Sequence, residues 1–207
     1  MKKIIALAAL AAASVTASAA TNLFTDGSFE SLSQAAGTWN TYNTVPGWTV
    51  TLASFVPSSH GLEIRNGVAG SAQDGSNFIE LDGYENDRVT QSFATTIGQT
   101  YEVSFWYQNR AGVDASSEGF DAVVLSGGVS SASLVGNAAS NAWLQEKIVF
   151  TAGSNISTFT IDATGASDGY GTSFDNFSAV AVPEPATMGL FAAGLAMLGL
   201  SARRRRK

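Results

Sequence analysis

The chain has 207 residues, no cysteine and a formal net charge of −6, with 45% hydrophobic but only 14% charged residues. The absence of cysteine excludes disulfides, thiolate metal sites and cysteine nucleophiles. Seven of the eleven cations lie in the two terminal segments, so residues 21–182 hold four basic residues (Arg65, Arg88, Arg110, Lys147) against sixteen acidic ones, a net −12; this excludes nucleic acid as a partner, because neutralising phosphates needs clustered Lys and Arg.

The N-terminus starts with Lys2 and Lys3, continues with an apolar stretch over 4–13 and reaches small residues at 17–20. This pattern predicts a secretory signal peptide over residues 1–20, removed on export. Residues 21–181 then form one domain, large enough to bury a core unaided. Its surplus carboxylates either keep an exported protein soluble or attract cations. The stretch "TWNTYNTVPGW" (38–48) is too rich in Thr, Asn, Pro and Gly to be core strand throughout, and it brings Trp39, Tyr42 and Trp48 within ten residues. Trp48, following Pro-Gly, suits a core anchor, and Trp143 is read the same way.

"PSSHGLE" (57–63) has loop composition and contains the sole histidine, His60. No Gly-x-Ser-x-Gly elbow presents a nucleophile beside it, and one histidine makes a poor zinc site. Glu63, Glu80, Glu102 and Glu146 are available for paired-carboxylate glycoside hydrolysis, but no spacing singles them out.

Six strand-sized runs rich in β-branched and aromatic residues follow: "NFIEL" (77–81), "RVTQSFAT" (88–95), "YEVSFWYQ" (101–108), "DAVVLSG" (121–127), "EKIVFTA" (146–152) and "STFTIDAT" (157–164). Between them "DGYEND", "TIGQ", "NRAGVDASSEG", "SGGVSSAS" and "GASDGYGTS" read as turns. "DGYENDR" (82–88) lacks the twelve-residue EF-hand pattern and reads as a hairpin turn. Short strands at this spacing, with helices nearly absent, predict an all-β antiparallel sandwich. Alternation places Tyr101, Val103, Phe105 and Tyr107 in the core, together with Val89, Phe93, Val124, Ile148, Phe150, Phe159, Ile161 and Phe177. Trp106 then projects from the outer face, with Asn109 and Arg110 just beyond it.

The chain closes with Pro183, Glu184 and Pro185, seventeen uncharged residues over 186–202, and Arg203, Arg204, Arg205, Arg206 and Lys207. As a helix the uncharged run is about 25 Å long, just enough to cross a hydrocarbon core of about 30 Å. The cations would stay cytoplasmic, which places the domain across the membrane. Residues 182–207 closely resemble the PEP-CTERM sorting signal of Gram-negative bacteria. The resemblance implies an exosortase-type processing enzyme as partner, membrane attachment only through the tail before processing, and a destination at the cell surface or in the extracellular matrix.

A second resemblance rests on "NLFTDGSFES", "VPGWTV", "AQDGSNFIELDG", "VTQSFATTIGQTYEVSFWYQNR" and "FDNFSAV". These segments look like exported bacterial galactose-binding-like jelly rolls, the sandwiches used by many carbohydrate-binding modules. That likeness implies a structural calcium ion joining the N-terminal segment to the last strand, at Asp26, Glu30 and Asp175. Sugars are held by aromatic rings on their C–H faces and by polar side chains on their hydroxyls; Trp39, Tyr42, Trp106, Asn109 and Arg110 are the candidates. The expectation is a non-enzymatic exported protein that binds extracellular polysaccharide through a jelly roll. The alternative is a structural or adhesive biofilm-matrix protein without a glycan site, and a further one is a polysaccharide hydrolase.

Overall fold

Among the described residues eleven strands, several with alternating apolar and polar residues, build two antiparallel sheets that bury their inner faces against each other. The computed structural model describes residues 21–52, 61–137, 141–183 and Gly194. The signal segment 1–20, His60 and the tail residues Glu184, Pro185, Arg203, Arg204, Arg205 and Arg206 lie outside the described residues. Among the described residues no helix is long and apolar enough to cross a membrane.

The strands are β1 (Thr38–Tyr42), β2 (Thr49–Thr51), β3 (Leu62–Asn66), β4 (Phe78–Glu80), β5 (Arg88–Ala94), β6 (Thr100–Gln108), β7 (Gly119–Ser126), β8 (Val129–Asn137), β9 (Leu144–Thr151), β10 (Ile156–Ala163) and β11 (Ser173–Ala181). One sheet has the order β1-β3-β4-β11-β6-β9 and the other β2-β5-β10-β7-β8. A 3-10 turn at Ala115–Ser117, capped by Asp114, is the one short helical element between them among the described residues.

The twelve strand residues assigned to the core from the sequence are all buried. Aromatic rings fill the space between the sheets. Phe177 stacks on Phe105 at 5.6 Å and meets Trp48 edge-on at 5.1 Å, and Phe24 meets Phe93 edge-on at 5.1 Å. Such offset and edge arrangements suit the ring quadrupoles and add to the stabilisation from area burial. Trp48 is thus a core anchor, its indole N–H donating to the Asp26 carbonyl at 3.1 Å. Trp143 is half-buried instead, on the outer face of the six-stranded sheet against Phe78, with its N–H on the Ser71 carbonyl.

The last strand needs an irregularity to serve this core. Between Asp175 and Ser178 the β11–β6 register shifts, and Asn176 takes a left-handed backbone with φ 49°. One extra residue there turns Phe177 inward with Phe174 while Asp175 points outward; unbroken alternation would expose Phe177.

Three turn assignments need correction. "SGGVSSAS" is a turn only at Gly127 and Gly128, because residues from Val129 onward form edge strand β8 paired to β7. Its run of small polar residues lacks the aromatic and β-branched signature of the other strands, which hid it. "GASDGYGTS" is a connection only up to Thr172, since Ser173 opens β11. "DGYENDR" is not a hairpin: β4 and β5 lie in different sheets, so this segment crosses the sandwich, with a single bridge between Asp82 and Asn86.

The pairings define two ends. Thr100, Ala94, Ile156, Ser126 and Ala181 lie at one end. Gln108, Glu80, Ser173, Arg88 and Asp162 lie at the other, about 26 Å away along the nine residues of β6.

Candidate functional site

At the second end, two turns with the same Asp-Gly-Tyr sequence meet. Asp82 in the β4–β5 crossover accepts backbone N–H bonds from Asp168 (3.0 Å) and Gly169 (3.3 Å), the start of the second triplet. Desolvation raises the Asp82 pKa against those donors. The close approach requires small residues. A Cβ on Gly171 would come within 2.8 Å of Asp82 Cβ, and Gly169 has φ 82°. The pairing presents Tyr84 and Tyr170, each about half exposed.

These rings and Trp39, 48% exposed on edge strand β1, border a cleft of about 320 Å³ also lined by Glu63, Arg65, Arg110 and Asp168. Its floor is a row of alternating charges on the outer face of the six-stranded sheet. Strand register sets Glu63 beside Glu80 and Trp39 beside Arg65. Arg65, 1% exposed, donates through Nε to Glu63 Oε1 at 2.5 Å and pairs through Nη1 with Glu80 Oε2. That second contact is an ion pair without hydrogen-bond alignment, and Arg65 Nη2 has no hydrogen-bond partner among the described residues. Arg110 donates through Nη1 to Glu80 Oε1 at 3.0 Å and lies 4.6 Å from the centre of the Tyr170 ring, a cation–π contact that fixes both side chains.

Burial pushes the Glu80 carboxyl up to about 8, with Arg65 the largest opposing influence. Glu118 is fully buried behind the cleft, where Oε1 accepts the Arg110 backbone N–H at 3.1 Å and Oε2 has no hydrogen-bond partner among the described residues. Desolvation pushes it up to about 7. Arg110 is therefore held from both its backbone and its side chain. On its far side a second cleft of about 460 Å³, lined by Gly112, Asp114 and Ser117, shares the wall of Arg110, Asp168 and Tyr170.

Of the five residues expected to contact sugar, Trp39 and Arg110 converge here. Tyr42 is half-buried and donates its hydroxyl to Gln34 Oε1 at 2.8 Å. Trp106 is half-buried on the same sheet face, opposite Asp175 and Gln145, away from the cleft lining. Asn109 is half-buried, with an Oδ1 that has no hydrogen-bond partner among the described residues, and it does not line the cleft. Tyr84, Tyr170 and Asp168 escaped sequence reasoning because they lie in turns; the repeated Asp-Gly-Tyr triplet at 82–84 and 168–170 was the available signal. Of the four glutamates considered for paired catalysis, Glu63 and Glu80 meet, whereas Glu102 pairs with Lys147 at 2.8 Å and Glu146 lies 3.4 Å from the Tyr107 hydroxyl.

The carboxylates expected to hold calcium act on backbone N–H groups. Glu30 Oε1 accepts from Ser76 and Asn77, both at 2.7 Å. Asp175 Oδ2 accepts from Gln73 (2.7 Å) and Asp74 (2.9 Å), and Oδ1 from Asn176 (2.6 Å). Burial nevertheless pushes Asp175 up to about 7. Glu30 and Asp175 thus clamp one loop, 73–77, from two sides. Asp26 Oδ1 accepts from Ser31, while Oδ2 is buried without a hydrogen-bond partner among the described residues. Calcium takes six to eight oxygens, and among the described residues no three acidic or histidine side chains gather to start such a shell. As arranged, these three do not fit one ion.

Residues 181–206 match the PEP-CTERM protein-sorting motif, which implies export and membrane-anchored sorting. No curated protein matches the chain. Among solved structures, the sandwich is similar to the Stig cyclase Fisc from Fischerella sp. TAU, in complex with (3Z)-3-(1-methyl-2-pyrrolidinylidene)-3H-indole. The identity is 16% and the TM-score 0.61, over 81% of this chain and 100% of the cyclase. It is also similar to a family 16 carbohydrate-binding module, at 17% identity and TM-score 0.50 over 77% of this chain and 99% of the module. An arabinose-bound α-L-arabinofuranosidase matches at 14% identity and TM-score 0.53, over 77% of this chain and 26% of that enzyme. At these identities the likeness shows the fold, a jelly-roll β-sandwich. It also corrects one expectation: the same sandwich is an enzyme in the cyclases, so this architecture does not place the chain among proteins without catalysis.

Proposed function

We propose that this exported protein binds extracellular polysaccharide in the cleft bordered by Trp39, Tyr84 and Tyr170. The observation that carries the reading is the combination of three half-exposed aromatic rings with a buried guanidinium–carboxylate floor. The rings offer apolar faces to sugar C–H groups, while Arg110 and Asp168 offer a donor and an acceptor to hydroxyls. Arg65 and Arg110 face Glu63 and Asp168 as well as Glu80, so even with Glu80 protonated the cleft has no excess positive charge and favours neutral over polyanionic glycans. The sorting motif supports the setting, since it implies export by a membrane-anchored route. The Tyr170 ring is already held by Arg110, which lowers the entropy lost on binding.

Affinity electrophoresis of residues 21–183 through gels containing neutral and acidic polysaccharides tests this. Retardation by at least one neutral glycan is expected, and Trp39→Ala or Tyr170→Ala should abolish it without shifting the melting temperature. Equal mobility across a broad panel would overturn glycan binding and leave protein adhesion as the reading. Assaying reducing ends in the same mixtures separates retention from hydrolysis.

A further inference from the structure

We propose that the sandwich end opposite the cleft is a lipid-facing platform, on which the domain rests at the membrane surface while its sorting tail is attached. The proposal rests on the sorting motif and is independent of glycan binding.

The chain leaves the fold at this end. The Val182 N–H donates to the Thr100 carbonyl at 2.9 Å, and Gln99 Nε2 donates to the Val182 carbonyl at 2.8 Å. The last β-paired segment is thereby stitched to the β5–β6 turn. Only Pro183, Glu184 and Pro185 separate Val182 from the uncharged run beginning at Ala186, a reach of at most about 14 Å. No spacer holds the domain off the lipid.

Three turns make up the end, and hydrogen bonds join them. Thr95 N–H donates to the Asn155 carbonyl (2.9 Å) and Gly98 N–H to the Ala152 carbonyl (2.8 Å), linking the β5–β6 and β9–β10 turns. Gly153 N–H donates to Ser126 Oγ at 2.9 Å, adding the β7–β8 turn. Ile97 and Ile156, at 61% and 62% exposure, project from this rim. Ile97 lies in the β5–β6 turn and Ile156 opens β10 beside Ala94, so the two exposed side chains give this rim an apolar edge.

Charge separates the two ends further. Residues 94–101, 126–128, 151–157 and 179–183 contain no charged side chain, although the body carries sixteen acidic residues. The cleft end, about 26 Å away, carries Asp82, Glu85, Asp87, Asp114, Asp162 and Asp168 against the cations Arg65, Arg88 and Arg110, and with Glu63 and Glu80 it remains acidic on balance. Bacterial lipid surfaces are anionic, and the acidic end is repelled while the uncharged end is not. Two apolar side chains bind lipid weakly alone, but tethering makes the contact intramolecular, so a weak contact suffices. The platform would point the cleft away from the membrane.

The absence of cysteine allows single labelling sites. Full-length chain, tail included, carrying Ile97→Cys, Ile156→Cys or, at the cleft end, exposed Ala111→Cys is labelled with an environment-sensitive fluorophore and reconstituted into phosphatidylethanolamine–phosphatidylglycerol vesicles containing headgroup-level nitroxide lipid. Quenching at 97 and 156 should exceed that at 111 by at least about twofold, and unlabelled Ile156→Ser should reduce quenching at 97. Equal quenching at all three sites, or failure of the chain to float with vesicles, overturns the proposal. So does quenching at 97 and 156 that arises only in membranes carrying the processing enzyme, which would assign the rim to a protein contact.

Discussion

Replacing Arg65 by methionine should be the most damaging single change on the sheet surface. The guanidinium is 1% exposed and pairs with Glu63 and Glu80, both nearly or fully buried. Methionine fills similar volume, so the loss is electrostatic. Glu80 keeps Arg110 at 3.0 Å, whereas Glu63 loses its ion-pair partner. Removing one partner of a buried pair costs about 3–5 kcal/mol, and in a domain of this size each kcal/mol moves the melting temperature by about 2–4 °C. A drop of roughly 6–20 °C is therefore expected at pH 8 by differential scanning calorimetry. Adding Glu63→Gln to the methionine variant should recover part of the loss at pH 8. A drop below about 3 °C would refute the view that the row holds the sheet surface together.

Other consequences are measurable in the same way. Glu118, with a folded pKa raised from 4.5 to about 7, holds its proton more tightly folded than unfolded. Its contribution is fully present below about pH 4.5 and lost as pH rises through 7, so Glu118→Gln should flatten the fall in melting temperature between pH 5 and 8; an unchanged slope would count against it. Asp175→Ala frees the Gln73 and Asp74 N–H groups and should lower the melting temperature and speed proteolysis within 73–77. Since those donors occupy the carboxylate, chelator should leave the wild-type melting temperature unchanged, and a fall of several degrees would show that the clamp rearranges around an ion. Gly75→Ala puts a Cβ into the Glu30 carboxylate at a position with φ 68° and should destabilise by about 1–2 kcal/mol, read from urea denaturation.

Six strands and the twelve core residues assigned with them were legible in the sequence because aromatic and β-branched residues are concentrated there, mostly in alternation. The strands missed share a physical reason: their side chains break that alternation for another purpose. β3 carries Glu63 and Arg65, which look like solvent-facing charges yet are buried against each other. β11 contains the Asn176 bulge, and β1, β2 and β8 are sheet edges. For the site, Trp39 and Arg110 were within reach because an aromatic in a polar stretch and a scarce cation stand out. Tyr84 and Tyr170 are brought together only by the pairing of two turns more than eighty residues apart. Trp106 faces outward as its strand position required, but neighbouring segments half cover that face.

Isothermal titration of residues 21–183 with the best-retained glycan, comparing wild type with Trp39→Ala, Tyr170→Ala and Trp106→Ala, tests the cleft most directly. Loss of at least about tenfold in affinity, near 1.4 kcal/mol, is expected for the first two and none for Trp106→Ala. Undiminished binding by both cleft variants, with loss confined to Trp106→Ala, would move the glycan to the open sheet face and contradict the account.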